Sequence, residues 1–167
     1  MRRALCLLVI MLVAVAANAQ HNQDFASKFM KMNKADSTIR CVTVSPKMMM
    51  TLQGNTDENH TAGMRQAVSK LKSARIVTAA DSYFDVAVEL LRQNANRFSL
   101  ERDFRNGEQH WAFYKRASKR GNIVELIMLQ ADSNKRQLTI VNLTGNLDDD
   151  FIRSLTQDVT EQEPHTE

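Results

Sequence analysis

The second half of the chain limits the possible fold more than any other feature of the sequence. Four segments there are strand-like, at 99–104, 110–117, 123–130 and 137–143. Short turn signals separate them, namely Asn106-Gly107, Arg120-Gly121-Asn122 and Asp132-Ser133-Asn134. Because consecutive strands joined by tight turns pair with their chain neighbours, this half predicts a four-stranded antiparallel meander.

The first half begins with a helix and a strand. Asp24 is placed to cap a helix whose apolar stripe is Phe25, Phe29 and Met32. The β-branched residues of 38–44 predict a strand, and Ser45-Pro46 then favours a short helix over 47–52. The polar segment 53–60 is expected to be an exposed loop.

Two further helices and a strand complete that half. A helix beginning near Thr61 has the apolar face Met64, Val68 and Leu71, and 74–79 predicts a short buried strand. Asp81 or Ser82 can cap the clearest helix of the chain, whose apolar face comprises Phe84, Val88, Leu91, Ala95 and Phe98.

The end of the chain predicts one more helix. Gly145-Asn146 is expected to end the last strand, and the three aspartates of 148–150 suit the positive N-terminus of a helix. The elements together predict an α+β fold with a mixed, mainly antiparallel sheet of about six strands, the last four a meander, and helices packed mostly on one face. We expect one domain over 20–160 and a flexible tail over 161–167.

The N-terminus has the pattern of a cleavable signal peptide over 1–19. Arg2 and Arg3 precede an apolar run, and Ala17-Asn18-Ala19 supplies small residues before the cleavage point. The run is too short to cross ~30 Å of hydrocarbon as a helix. We therefore expect export to the periplasm or cell envelope and no transmembrane segment in the mature chain. Cys6 lies inside the run, so no lipid-anchoring cysteine is expected.

Removing the signal peptide changes the charge argument. The chain has 22 Lys and Arg against 19 Asp and Glu, and losing Arg2 and Arg3 leaves 20 against 19. Little positive field remains to attract phosphates, so nucleic acid is not expected as a partner. The basic pairs Lys119-Arg120 and Lys135-Arg136 are interpreted as solvated turn residues.

Cys41 is the single cysteine that remains after cleavage. No disulfide within the mature chain is therefore predicted. Its neighbours are those of a strand, where a thiol usually packs as a small apolar group. A reactive or dimer-forming Cys41 is the alternative interpretation.

Side chains suited to catalysis are sparse. Among the histidines, His60 and His110 lie outside the expected tails, and neither has the i+2 or i+4 partner that a zinc site needs. The sequence contains no serine-hydrolase, phosphate-loop or dinucleotide motif. His110 is the one catalytic candidate, with Glu108 or Glu125 as carboxylates brought close across the hairpin. No metal site and no cofactor are predicted.

Three other groups of residues invite a functional interpretation, and a structural one is favoured for each. Met48-Met49-Met50 suggests copper(I), but consecutive helical residues point about 100° apart and do not converge on one ion. The aspartates of 148–150 lack the alternate spacing of a calcium loop. Tyr83, Trp111 and Tyr114 could form a binding surface on the sheet, although ordinary core packing is favoured.

Two short segments carry a family resemblance. Val42, Val44 and Ser45 before a methionine-rich helix, and the closing sequence Leu143-Thr144-Gly145-Asn146-Leu147-Asp148-Asp149, resemble exported Bacteroidetes proteins catalogued as domain of unknown function 4252. The resemblance covers nearly the whole mature chain and implies an envelope protein without an assigned activity. Many members look like lipoproteins, from which this chain departs. Asp36-Ser37-Thr38 is similar to the O-glycosylation acceptor pattern of such bacteria, with Ser37 the modified residue.

These observations favour a non-enzymatic exported domain that binds a protein or another component of the envelope. A small periplasmic hydrolase or transferase using His110 is the alternative, and a methionine-based copper(I) binder is a further one. The sequence does not specify the partner, and an envelope protein is the expected class.

Overall fold

The computed structural model describes residues 23–45, 47–48, 69–150 and 152–153. Two helices and six strands are named here in chain order: α1 (Phe25–Met32), β1 (Arg40–Val44), β2 (Leu71–Ala80), α2 (Tyr83–Arg92), β3 (Ser99–Asn106), β4 (Gln109–Ala117), β5 (Ile123–Asp132) and β6 (Gln137–Leu147). The expected loop of 53–60, the helix from Thr61 to Val68 and the tail of 161–167 lie outside the described residues.

The strands form one sheet in the order β1-β2-β6-β5-β4-β3, and each neighbouring pair is antiparallel. The last four strands make the predicted meander, and β1 and β2 extend the sheet beyond β6. The α+β class with about six strands is therefore confirmed. At the turns, Gly107 and Gly121 adopt positive φ angles of 54° and 87°, which glycine accepts without steric cost.

Both helices pack on one face of the sheet, the helix face. Phe25, Phe29 and Leu91 are among the helix residues that contact the buried side chains of the central strands, such as Ile127 and Ile140. Asp24 caps α1 as predicted, since its carboxylate accepts the N–H of Ser27 at 2.8 Å. Met32 does not belong to the buried stripe, because 59% of its surface is exposed at the end of α1.

Two predicted helix boundaries are wrong. Leu71 opens β2 instead of ending a helix, because its side chain packs into the apolar cluster with Ile123 and Leu143. Helix α2 ends at Arg92 and does not reach Phe98. The reason is local: Asn94 donates its side-chain amide to the carbonyl of Leu90 at 2.7 Å and so competes with continued helix.

Gly145 does not end the last strand, and β6 continues to Leu147. A Cβ atom at residue 145 would collide with the backbone carbonyl oxygen of Lys70. Glycine lets β6 pass the start of β2 at this close approach, and the N–H of Asn146 donates to the same carbonyl at 3.1 Å. The glycine therefore maintains the strand that it was expected to break.

The opposite side of the sheet, the second face, carries a separate apolar cluster. Leu126, Leu143, Leu147 and Ile152 are buried there. Ile152 is helical, as predicted, as are Asp149 and Asp150. Among the described residues, no helix is long and apolar enough to cross a membrane.

Candidate functional site

His110, the predicted catalytic candidate, lies near the start of β4 on the helix face. Its Nε2 atom is 2.8 Å from Oδ1 of Asp103 on the neighbouring strand β3. Its ring packs on Phe84 of α2, with the ring centroids 4.2 Å apart. The imidazole is largely covered, since 18% of its side chain is exposed, whereas 43% of the Asp103 side chain is exposed.

The carboxylate that contacts His110 is therefore that of Asp103. Glu108 is an exposed residue of the β3–β4 turn. Glu125 is paired with Arg116 of β4. Arg116 and His110 are about 20 Å apart along this strand. The expected approach of Glu125 to His110 across the hairpin is therefore wrong, because the β4–β5 register places Glu125 at the other end of β4.

Glu125 is the most unusual charged residue of the described chain, because a carboxylate with no exposed surface lies among apolar strands. Its Oε2 atom accepts from Nε of Arg116 at 2.7 Å. Its Oε1 atom accepts from the backbone N–H of Phe25 at 2.7 Å and from Nδ2 of Asn142 at 3.0 Å. All three partners are donors, so the site is built for an ionised carboxylate.

These bonds fix the N-terminus of α1 to the sheet. The first N–H groups of a helix have no partner within the helix and must find one elsewhere. Glu125 accepts the N–H of Phe25, and Oδ1 of the buried Asn142 accepts the N–H of Ala26 at 2.8 Å. Asp24, which caps the next N–H, also pairs with Arg75 of β2 at 3.1 Å. The carboxylates of Glu125 and Asp24 also lie at the N-terminus of α1, where the positive end of the helix dipole stabilises a negative charge.

We conclude that this network has a structural role. Nε of Arg75 is buried without a partner among the described residues, but the carboxylate and amide groups of Asp24, Glu125 and Asn142 are all bonded to protein atoms. Glu125 also has no contact with solvent. A general acid or base must reach a substrate atom within hydrogen-bonding distance. Glu125 does not satisfy this condition in the folded chain.

The three predicted aromatic candidates do not form one surface. Tyr114 is buried on the helix face, where burial, and secondarily the Asp103 carboxylate, raises its pKa. Tyr83 lies on α2 and donates its hydroxyl to Asp36 at 2.8 Å, and this hydrogen bond raises the pKa of Tyr83. Trp111 lies on the second face.

Asp36 organises the turn that contains Ser37. Its carboxylate accepts from both the hydroxyl and the backbone N–H of Thr38, and these bonds, with the one from Tyr83, hold its pKa below the ordinary value. Ser37 itself is exposed. Glycosylation of Ser37 stays a prediction.

The second face carries a line of apolar side chains that crosses the sheet. Five residues lie opposite one another on successive strands, in the order Val42, Ile76, Val141, Met128 and Phe113. We call these five residues the apolar row. Exposure falls along it, from 58% at Val42 and 38% at Ile76 to a fully buried Phe113. Such a graded strip leaves about half of its length accessible to another molecule.

Aromatic rings border the buried end of the apolar row. Phe104, Trp111 and Phe113 lie with their planes 9° apart and their centroids 6.1 to 6.4 Å apart. The guanidinium of Arg102 lies 5.0 Å from the Phe104 centroid. The rings support one another across β3 and β4, as cross-strand aromatic pairs do.

Other predicted candidates are distributed elsewhere. Cys41 is exposed, and the expectation that it packs as a small apolar group is wrong, because β1 lies at the edge of the sheet that the described strands form. Met48 is 51% exposed, while Met49 and Met50 lie outside the described residues. Asp148 pairs with Lys70 at 2.6 Å.

A polar cavity of about 310 Å³ lies beside that ion pair, at the opposite end of β4 from His110. Gly121, Asn122 and Asn146 line it together with Lys70 and Asp148. The described residues contain no cluster of three or more His, Cys, Asp or Glu side chains that could hold a metal ion.

Sequence reasoning missed Asp103, Arg116 and Asn142. A signal for the last exists in the sequence, since Asn142 and Glu125 each interrupt an apolar strand. Polar residues at inward positions indicate a buried network that requires partners. Asp103 had no such signal, because β3 is charged along most of its length.

The fold and these contacts define a class: an open antiparallel sheet with helices on one face and a buried carboxylate that anchors the first helix. Residues 25–155 match the family model described as Domain of unknown function (DUF4252), and the chain belongs to this family. The predicted family membership is confirmed. No curated protein and no solved structure gives a significant match to this chain.

Proposed function

We propose that this protein is an exported, non-enzymatic domain of the cell envelope that binds or assembles with another protein. The signal-peptide pattern of 1–19 supports export, and cleavage after Ala19 is part of the proposal. The observation that carries the binding role is the apolar row, whose exposed half begins at the edge of the sheet with Val42 and Ile76.

The buried polar network supports the non-enzymatic part of the proposal. Glu125, which the sequence offered as a catalytic partner, serves to anchor α1 and has no exposed surface. The apolar row needs no conformational change to meet a partner, because its outer half is already exposed.

Site-specific photo-crosslinking in native envelopes tests this function. A photoreactive amino acid at Ile76 is expected to capture a protein, since this position lies in the exposed half of the apolar row. Val86 of α2 is the matched control, because it is an apolar residue with 43% exposure on the helix side of the sheet. Capture at both positions, or at neither, would contradict the proposal.

A second candidate function is hydrolysis or group transfer at His110. The observation that favours it is the 2.8 Å contact with Asp103, since a carboxylate can orient an imidazole for general acid–base chemistry. The purified protein would be assayed against ester, amide and phosphoester substrates. Turnover that is lost in both His110→Ala and Asp103→Asn would establish it and replace the binding proposal.

A further inference from the structure

We propose that the outer edge of β1 pairs with the same edge of a second copy of this chain, antiparallel about a two-fold axis at Val42. The inference rests on the proposed assembly role, and it identifies the partner in that assembly as a second copy of the chain. Its basis is the difference between the two edges of the sheet.

The edge formed by β3 resists pairing. Glu101, Arg102, Asp103 and Arg105 place charges along it, and the register shifts between Leu100 and Arg102. Charges and bulges of this kind are the usual protection of an edge strand.

The edge formed by β1 has neither protection. Its sequence is Arg-Cys-Val-Thr-Val, with one charge at the first position, and its register with β2 runs without a shift. Cys41, Val42 and Thr43 are all exposed. Among the described strands, β2 is the one that pairs with β1.

A two-fold axis at Val42 uses the whole of this strand. It places Val42 opposite its own copy, Cys41 opposite Thr43 and Arg40 opposite Val44. Successive residues of a strand point to opposite faces of the sheet, and residues directly opposite each other share a face. A symmetric antiparallel pair must therefore be centred on a residue that lies opposite its own copy. Centring on Val42 pairs all five residues.

The same axis extends the apolar row. Residues directly opposite on paired strands share a face of the sheet, so the Val42 side chains of the two copies lie beside each other on the second face. The row then continues from Phe113 of one copy through both Val42 residues to Phe113 of the next. The most exposed apolar side chain of the row becomes its centre.

Charge also fits the antiparallel arrangement. The two Arg40 residues lie at opposite ends of the pair, about 14 Å apart along the strand. That separation exceeds a Debye length of about 8 Å at physiological salt, so their repulsion is small. A parallel pair would bring the two arginines together.

Disulfide trapping tests both the partner and the register. In the purified mature chain carrying Cys41→Ala, Val42→Cys places two thiols on directly opposite residues, within the Cα distance that a disulfide spans. Thr43→Cys in the same background is the matched control, because its two copies lie on diagonal positions about 8 Å apart. Val86→Cys controls for random collision.

We expect Val42→Cys to form disulfide-linked dimers under mild oxidation roughly tenfold faster than either control. Wild-type chain should sediment as a dimer at high concentration, and Val42→Lys should be monomeric with an unchanged circular dichroism spectrum. Equal rates at the three positions, or a monomeric wild type at every concentration, would overturn the inference. Capture of a different protein at Ile76, without trapping at Val42, would overturn it and leave the binding function standing.

Discussion

Replacing Glu125 with glutamine should destabilise the fold far more than the same change at an exposed ion-paired glutamate. Phe25, Arg116 and Asn142 all donate to this carboxylate, so a glutamine amide group would place a donor against a donor. Removing one partner of a buried ion pair costs about 3–5 kcal/mol. Glutamine keeps one acceptor, and we therefore expect the free energy of unfolding to fall by about 3 kcal/mol.

Glu101 provides the matched control. Its carboxylate also forms an ion pair, here with Lys115 at 2.6 Å, but 36% of the Glu101 side chain is exposed. Glu101→Gln should cost less than about 1 kcal/mol, as exposed pairs do. Urea unfolding of both variants, with the slopes compared to the wild type, measures the difference. Losses within about 1 kcal/mol of each other would refute the claim that burial makes the Glu125 network important.

Three further predictions test other contacts. Gly145→Ala should lower the free energy of unfolding by at least about 2 kcal/mol, because the new Cβ atom would collide with the backbone of Lys70 and Leu71. Gly121→Ala is the control: its Cβ atom would meet open space, so only the positive φ should matter, at a cost of about 1 kcal/mol. Equal losses of stability in thermal unfolding would argue against the close approach at Gly145. Asp36→Asn should lower the pKa of Tyr83 toward the ordinary value of 10.0, seen as an earlier phase in an ultraviolet titration, and an unchanged titration would contradict the hydrogen bond. The pKa of Asp132 is held below 3.8, chiefly by a backbone hydrogen bond in the turn that follows, so the stability it adds is present above pH 3.8 and is lost as pH falls through its folded pKa. Asp132→Asn should therefore be less stable than wild type at neutral pH and approach it in acid, which unfolding curves across that range would test.

The meander was predictable because its signals are local. Tight turns with glycine or asparagine separate segments of strand composition, and a short turn forces neighbouring strands to pair. The ends of elements were less predictable where a side chain formed its own backbone bond, as Asn94 does at the end of α2. Gly145 misled for a related reason, since glycine both ends strands and permits close passage of two backbones.

The candidate sites were harder to predict because they depend on register between distant segments. Counting back from the turn that joins β5 to β6 would place Glu125 and Asn142 two residues apart diagonally on adjacent strands. No local pattern shows that a helix 100 residues earlier supplies another of the donors to Glu125. His110 was identified from its residue type, and its true neighbour Asp103 follows from the β3–β4 register.

The long separation between α1 and its anchors has a consequence for folding. An eight-residue helix is too short to be stable alone, and its capping partners lie 100 and 116 residues away in the chain. We infer that α1 docks after the meander has formed, so Phe29→Ala, at a fully buried position of α1, should mainly speed unfolding. Leu129→Ala, at an equally buried position of β5, should instead slow folding. Stopped-flow folding and unfolding rates separate the two cases, and a Phe29→Ala variant that folds as slowly as Leu129→Ala would place α1 in the folding nucleus.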